Sequence, residues 1–290
     1  MDACFIANDH LRAEFVAKGG ELRRLQVLQG PNLLWDGDPE VWGRVSPVLF
    51  PIVGKLKDGV LRHQGQNYPM GQHGFARDLD FRLVRLSRES CTWALKDDEI
   101  TRKQFPFPFE LRITYTVTEF TFSAEYEIRN PGQEPLPVSL GAHPAFRWPL
   151  PGGHRESHRI EFDHPEVAPI SRLQDGLLDL HPYANPTDGS ILKLRDDLFR
   201  QDALIFDQVR SRSLRYTAPG SLGLEMHWQG FRQLGLWSIP GADFLCIEPW
   251  AGTASPVGFD GEFSAKPGVM ILEPSASRGF RWSVKVLPRK

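Results

Sequence analysis

LRITYTVTEFTFSAEYEIRN, residues 111–130, is the stretch of sequence that decides the fold. Every second position of its first half is apolar or aromatic: Leu111, Ile113, Tyr115 and Val117. The alternation resumes in the second half at Phe120, Phe122, Ala124, Tyr126 and Ile128. A period of two residues is typical of strands that bury one face. The stretch therefore predicts an antiparallel hairpin with one buried face.

Two later segments alternate in the same way. GLEMHWQG places Leu224, Met226 and Trp228 on one face, and RGFRWSVKVL does so with Phe280, Trp282, Val284 and Val286. The 24 prolines and 26 glycines interrupt most windows, so we expect only short helical pieces, near residues 170–180 or 194–202. The absence of βαβ alternation, linker tracts and internal repeats predicts one all-β domain over residues 1–290, a large antiparallel β-sandwich with few short helices.

Charge and composition narrow the class of partner. The chain has 34 basic and 36 acidic residues, a net charge of −2 and no long run of either sign, which argues against nucleic-acid and membrane-surface binding. The N-terminus lacks an apolar signal core, and nowhere do 18 apolar residues follow one another. Cys4, Cys91 and Cys246 form no CxxC pair, as expected for reduced thiols. We expect a cytoplasmic protein that acts on a small molecule.

Three segments do not read as ordinary strands. SPVLFPIVGKLKDG (46–59) is an irregular apolar segment that contains Lys55 and Lys57. YPMGQHGFARDLDF (68–81) contains two glycines, with Gln72, His73, Arg77 and Asp78 close to them in the sequence. FLCIEPWAGTASP (244–256) runs an apolar strand directly into Glu248. A carboxylate at the end of a buried run is either paired with a cation or used for binding or proton transfer, and burial raises its pKa.

The histidines and cations leave alternatives open. His143, within GAHPAFRWPL (141–150), is either a packed core histidine or an acid held against a ligand. His73 precedes a glycine that permits close approach of a ligand or of another backbone. Lys55, Lys57 and Arg77 are either solvated loop charges or contacts for an anionic or polyhydroxyl partner.

Other chemistries lack a pattern in this sequence. The dense group of His154, His158 and His164 lies among glycines and is interpreted as a polar loop, so no metal site is predicted. GxSxG, P-loop and GxGxxG patterns are absent, which argues against a serine nucleophile elbow and against nucleotide binding.

Taken in order, SPVLFPIVGKLKDG, QHGFARDLDF, GAHPAFRWP, DALIF and CIEPWAG resemble the aldose 1-epimerase (mutarotase) family, in particular its LacX-like branch. The resemblance covers roughly residues 40–255. It implies the galactose mutarotase-like supersandwich, with a carbohydrate pocket on its concave face, and an isomerase that needs no cofactor and no metal.

The resemblance also implies roles for individual residues. The family's acid falls on His143, its base on Glu248 and a further binding histidine on His73. Its sugar-binding aspartate falls on Asp202, with Asp207 as a competitor. Lys55 stands where many relatives have an arginine, Arg77 offers the missing guanidinium fork, and Trp250 either covers a sugar face or packs in the core.

The implied reaction is mutarotation of an aldose. One base removes the proton of the anomeric hydroxyl while one acid protonates the ring oxygen, and the opened chain closes on its other face. The alternatives are a hexose-6-phosphate mutarotase, or a non-catalytic carbohydrate-binding or sensing domain of the same fold. The expected partner is an aldose or a sugar phosphate, and the protein is expected to be a monomer or a homodimer.

Overall fold

The computed structural model describes residues 3–289 as an assembly of strands. In chain order these are β1 (Ala3–Ala7), β2 (Leu11–Val16), β3 (Leu22–Val27), β4 (Val48–Leu49), β5 (Val60–His63), β6 (Gln66–Pro69), β7 (Arg82–Leu86), β8 (Ser90–Lys96), β9 (Glu110–Thr118), β10 (Thr121–Arg129), β11 (Leu136–Val138), β12 (Leu140–Ala142), β13 (Ala145–Arg147), β14 (Arg159–Phe162), β15 (Leu173–Gln174), β16 (Leu177–Leu178), β17 (Ile191–Lys193), β18 (Leu204–Phe206), β19 (Ser213–Thr217), β20 (Gly223–Gln229), β21 (Gln233–Trp237), β22 (Phe244–Ala251), β23 (Met270–Leu272) and β24 (Ser277–Leu287).

Helical structure within the described residues is limited to six single 3₁₀ turns. They are Lys57–Gly59, Ala76–Asp78, Thr101–Lys103, Arg155–Ser157, Asp196–Phe199 and Phe263–Ala265. The helix expected near 170–180 is wrong: this segment forms the small β15–β16 hairpin. The piece expected over 194–202 is one 3₁₀ turn. None of the helical turns in residues 3–289 has the length and apolarity that a membrane span requires.

The largest sheet has nine strands in the order β17-β14-β19-β20-β24-β10-β9-β8-β7. The predicted hairpin is confirmed as β9–β10, in which Phe122 pairs with Val117 and Ile128 with Leu111. Phe120 was placed on the buried face by its spacing, and that placement is wrong. Phe120 is the second residue of the two-residue turn 119–120, and it is 42% exposed. Glu119, the first residue of this turn, has a positive φ of 50°.

A second sheet has six strands, of which five lie in the order β18-β21-β22-β12-β4, and β13 also pairs with β22. The apolar faces of the two sheets meet in one core, which also takes in side chains of the three-stranded sheet β1–β3. Phe15 of this small sheet stacks on Tyr115, with ring centroids 4.5 Å apart, and lies 6.3 Å from Phe122. The predicted all-β sandwich is therefore confirmed.

The irregular segment before Gly54 is attached to the loop that carries His73. Phe50 forms an isolated parallel bridge with Gly74, and the amides of Phe75 and Ala76 donate to the Phe50 carbonyl. A Cβ on Gly74 would lie 2.2 Å from that carbonyl oxygen, and Gly74 has a φ of +70°. Glycine is therefore required here by both the contact and the backbone conformation.

The three cysteines are free. Cys91 and Cys246 are buried, and Cys4 is half-buried with its thiol close to that of Cys91. Strands β1 and β8 thus bring together two thiols that are far apart in the sequence.

The β9–β10 hairpin provides a test of the core with an internal control. Phe122 is fully buried against Tyr115 and Trp282, so Phe122→Ala should lower the free energy of unfolding by about 3–5 kcal/mol. Phe120→Ala removes the same side chain from an exposed turn, where it stacks only on His10, and should cost less than about 1 kcal/mol. Urea denaturation measures both values, and equal losses would contradict the orientation of the hairpin.

Candidate active site

Strand β22 is buried on both faces, because a second layer covers the six-stranded sheet on the side away from the core. Leu245, Ile247 and Ala251 enter the main core. Alternate residues face the other way: Phe244 and Cys246 join one small apolar cluster, and Trp250 joins another. Glu248 lies between these two clusters and is 1% exposed. The period of the strand thus directs a carboxyl group into an enclosed position.

Two glycines on neighbouring strands make room for the indole of Trp250. Gly235 of β21 pairs with Glu248, and a Cβ there would lie 2.5 Å from Trp250 Cζ2. Gly141 of β12 pairs with Trp250, and a Cβ there would lie 2.8 Å from Trp250 Cδ1. The indole therefore lies against the sheet. From this position its Nε1–H donates to Glu248 Oε2 at 3.2 Å.

The same carboxyl oxygen contacts the histidine that follows β12. His143 Nε2 lies 3.2 Å from Glu248 Oε2, and the two side chains are 8% and 2% exposed. Because His143 and Trp250 both approach Oε2, Oε1 is available to a ligand. The residues predicted as the acid and the base are therefore in direct contact.

Aromatic rings enclose the imidazole of His143. Trp42 stacks on it with centroids 5.1 Å apart and planes inclined by 28°, and Trp237 meets it edge-on at 5.8 Å. The buried His143 Nδ1 has no hydrogen-bond partner among the described residues. Packing therefore holds the ring in place, and its one polar contact is to Glu248.

Burial shifts both members of the pair toward their neutral forms. Loss of solvation, with smaller contributions from the charges of Arg77 and Arg44, lowers the pKa of His143 to about 3. Loss of solvation also raises the pKa of Glu248 well above its usual value, and the charge of Asp202 adds to this effect, whereas the Trp250 hydrogen bond opposes it. An ionised glutamate beside a protonated histidine carries the same number of protons, but burial favours the neutral pair.

His73 lies in the cavity wall with its tautomer fixed. The Gly54 amide donates to His73 Nδ1 at 3.1 Å, so a neutral ring carries its proton on Nε2. The residue is half-buried, but its ring is enclosed, and burial together with the nearby His143 lowers its pKa well below the usual value. His73 therefore supplies an N–H donor close to His143, and the centroids of the two imidazole rings lie 5.8 Å apart.

Arg77 supplies a guanidinium group at the same wall. Its Nη2 donates to the Gln72 carbonyl at 2.6 Å, whereas its buried Nε has no hydrogen-bond partner among the described residues. Burial and the neighbouring Arg44 lower the pKa of Arg77 to about 10. Asp78 lies beside both arginines, 2.8 Å from Arg44 and 3.8 Å from Arg77.

Of the two candidate aspartates, Asp202 lines the cavity and Asp207 does not. Asp202 precedes β18 in a left-handed conformation, with φ of 63°, and its Oδ1 accepts the Ala203 amide at 2.7 Å. Arg172 donates to the Asp202 carbonyl at 2.9 Å and so fixes this turn. The carboxylate of Asp207, at the far end of the strand, accepts from Ser171 instead.

Lys55 does not line the cavity. Its side chain is exposed and runs past Gly176, and Nζ lies 3.4 Å from the Asp175 carbonyl in the turn of the β15–β16 hairpin. The position after Gly54 thus contributes to the wall by its backbone and leaves the lysine outside, which is a correction to its predicted role as a ligand.

The cavity in front of the pair measures about 290 Å³, the lower end of the range for small-molecule sites. Its polar lining comes from Gln72, His73, Arg77, His143, Asp202 and Glu248, and its aromatic lining from Trp42, Trp237 and Trp250. Sequence reasoning missed Trp42 and Trp237. Trp42 lies in an irregular loop and Trp237 at a strand end, and neither carries a local pattern that separates it from a core tryptophan.

Cys246 lies beside the pair on β22. One donor atom from each of His143, Cys246 and Glu248 lies within 4.8 Å of the others, a set that a thiophilic divalent cation accepts in other proteins. Burial and the adjacent Glu248 raise the pKa of the thiol well above its usual value. The thiol is thus protonated, and His143 Nε2 and Glu248 Oε2 lie in contact at 3.2 Å.

Comparisons with known proteins agree with this fold. Residues 3–267 match the family model for aldose 1-epimerase. The chromosomal protein LacX of Lactococcus lactis subsp. lactis is 30% identical over 297 residues, which cover 97% of this chain and 98% of the relative.

Two solved structures have the same architecture. A galactose mutarotase related enzyme from Lactobacillus acidophilus has a TM-score of 0.93 and 31% identity, covering 99% of this chain and 98% of that one. A galactose mutarotase-like protein from Lactobacillus casei has a TM-score of 0.89 and 27% identity, covering 98% and 99%. With a family match over most of its length and a LacX relative at this identity, the chain belongs to the aldose 1-epimerase family and to its LacX-like branch.

Proposed function

We propose that the protein is an aldose 1-epimerase that interconverts the α and β anomers of a hexose by general acid–base catalysis. The observation that carries the proposal is the 3.2 Å contact between His143 Nε2 and Glu248 Oε2, at the end of a cavity with room for one small ligand. Family membership supports the reaction class. The identity of the sugar and the roles of the individual residues are parts of the proposal.

The proposed reaction begins when a sugar places its anomeric hydroxyl at Glu248 and its ring oxygen at His143. Hydroxyl groups of the sugar then solvate the pair, which takes the form of a carboxylate and an imidazolium. Glu248 accepts the proton of the anomeric hydroxyl, the bond between the anomeric carbon and the ring oxygen breaks, and His143 protonates that oxygen. The products are an open-chain aldehyde, a neutral carboxylic acid and a neutral imidazole.

Burial of the pair supports this sequence of steps. The enclosed site favours the neutral forms of both side chains, and these are the forms that exist after ring opening. The enclosed surroundings thus stabilise the state with an open-chain sugar and neutral side chains relative to the state with a closed ring and charged side chains. Rotation about one carbon–carbon bond followed by reversal of both proton transfers yields the other anomer.

The remaining lining residues are proposed to orient hydroxyl groups. His73 offers Nε2–H, and Asp202, which also lines the cavity, offers a carboxylate. Trp42, Trp237 and Trp250 offer apolar surface for the faces of the sugar ring, and they also exclude water from the pair. Lys55 has no part in this proposal, because its side chain lies outside the cavity.

A hexose 6-phosphate is the second candidate substrate, and one observation favours it. Arg77 lines the cavity with its guanidinium group, and the charge of nearby Arg44 contributes to lowering the pKa of Arg77. A guanidinium with free donors recognises phosphate by paired hydrogen bonds. A non-catalytic sugar-binding domain is the third candidate and is an outcome of the experiments below.

Freshly dissolved α-glucose, α-galactose and glucose 6-phosphate, followed by optical rotation, provide the first test. We expect the wild-type protein to accelerate at least one of them over buffer. Glu248→Gln and His143→Asn should each reduce turnover by about 100- to 10,000-fold, because each removes one positioned proton transfer, while the melting temperature stays within a few degrees. Sugar binding without acceleration for any of the three would favour the non-catalytic domain, and near-normal turnover in either variant would remove that residue from the mechanism.

The pH dependence of kcat/KM tests the protonation of the pair. The active state holds one proton, and burial keeps a second proton off His143 until the pH approaches about 3. We therefore expect kcat/KM, corrected for the buffer reaction, to stay constant as the pH falls from 7 to 5. It should decline on the alkaline side, as Glu248 loses its proton. An acid limb centred near the ordinary histidine pKa of about 6.5 would contradict the account.

Arg77 distinguishes the two substrate classes. If the substrate is phosphorylated, Arg77→Ala should raise KM for glucose 6-phosphate by about 10- to 100-fold and affect glucose much less. Lys55→Ala is the matched control, because it removes a nearby positive charge that lies outside the cavity, and it should change neither KM. Equal KM values for wild type and Arg77→Ala on the phosphate would count against phosphate recognition by this residue.

A further inference from the structure

Lys266 is a buried cation that the proposed reaction does not use. The residue is 3% exposed, and its ammonium group donates to the carbonyls of Thr253 at 2.7 Å and Pro267 at 3.1 Å. None of the ion pairs found within residues 3–289 includes it. Burial lowers its pKa to about 8. Enclosing an ammonium group with only carbonyl partners costs stability that an apolar side chain of similar length would not cost.

The carbonyl that Lys266 holds belongs to a turn directly after β22. Within this turn, residues 252–256, the Gly252 amide donates to Gln233, and the Ser255 amide donates to the Lys55 carbonyl at 2.9 Å. Ala254 packs so closely on Gly54 that a Cβ on the glycine would lie 2.5 Å from the Ala254 Cβ. The turn and the segment around Gly54 therefore pack together as one unit.

That unit extends to His73 in the cavity wall. The Gly54 amide donates to His73 Nδ1, and the His73 amide donates to the Gly54 carbonyl at 2.7 Å. Ala254, Gly54 and His73 all line the cavity. A continuous series of buried contacts thus connects the ammonium group of Lys266 to a ring that faces the ligand.

We propose that Lys266 is a positioning residue for this site: its buried ammonium group fixes the 252–256 turn, and through Ala254 and Gly54 it fixes the orientation of His73. Charge-assisted hydrogen bonds are about twice as strong as neutral ones, so a neutral side chain of the same length fills the space but does not hold the turn. The kinetic part of this inference rests on the proposed function, whereas the structural part does not.

Lys266→Met tests the proposal, with Lys285→Met as the matched control on the exposed surface of β24. We expect amide hydrogen exchange in Lys266→Met to become at least about tenfold faster at Gly54 and Ser255 and to stay unchanged in β9 and β10. The melting temperature should stay the same or rise. For an aldose that the wild type turns over, KM should rise about five- to tenfold while kcat changes less than about twofold. Lys285→Met should match the wild type in every measurement.

Two results would overturn the proposal. One is unchanged exchange at Gly54 and Ser255. The other is a lower melting temperature with faster exchange throughout the chain and an unchanged KM, because Lys266 would then only stabilise the fold. If Lys266→Met does not fold, Lys266→Gln, which keeps an uncharged donor, replaces it. Amide exchange at Gly54 and Ser255 should then become faster by a smaller factor, and unchanged exchange in Lys266→Gln would also overturn the proposal. If the wild type turns over no sugar, the proposed function fails, and the exchange measurement still decides the role of Lys266.

Discussion

Burial of β22 on both faces is the constraint on which the candidate site depends. One face of the strand enters the core between the two large sheets, and the other lies under a second apolar layer. Glu248 on that second face is 1% exposed and meets solvent only through the cavity, so its carboxyl needs partners within the protein. His143 and Trp250 provide them, both at Oε2. The other oxygen is left for a ligand.

Small residues make this arrangement sterically possible. Gly235 and Gly141 on the adjacent strands leave the space in which the Trp250 indole reaches Glu248, and Gly54 lets the turn after β22 approach the His73 loop. The resulting enclosure lowers the pKa of His143 and raises that of Glu248. A site that favours neutral partners is suited to the proposed ring opening, in which a carboxylate accepts one proton, an imidazolium donates one, and both groups become neutral.

Periodicity predicted the parts of the fold that depend on local sequence. The β9–β10 hairpin and its buried face are visible in residues 111–130. Phe120 follows the same spacing but lies in the turn, because β9 ends at Thr118 and β10 begins only at Thr121. The order of the family motifs predicted His143 and Glu248 as an acid and base pair, and the two side chains are in contact. The motifs predicted Lys55 as a ligand contact, but the backbone after Gly54, which has a φ of 71°, directs the lysine side chain toward the Asp175 carbonyl and away from the cavity. Trp42, Trp237 and Lys266 make contacts between segments that are distant in the sequence, and no local pattern predicts such contacts.

The central claim is that a sugar binds with its anomeric centre between His143 and Glu248. A crystal structure of the Glu248→Gln variant with a bound aldose, or with its 6-phosphate, tests this claim most directly. The account predicts that the anomeric hydroxyl lies within hydrogen-bond distance of residue 248 and that the ring oxygen lies within hydrogen-bond distance of His143 Nε2, about 2.6–3.2 Å in each case. A sugar bound in the cavity with its anomeric carbon directed away from both residues would contradict it.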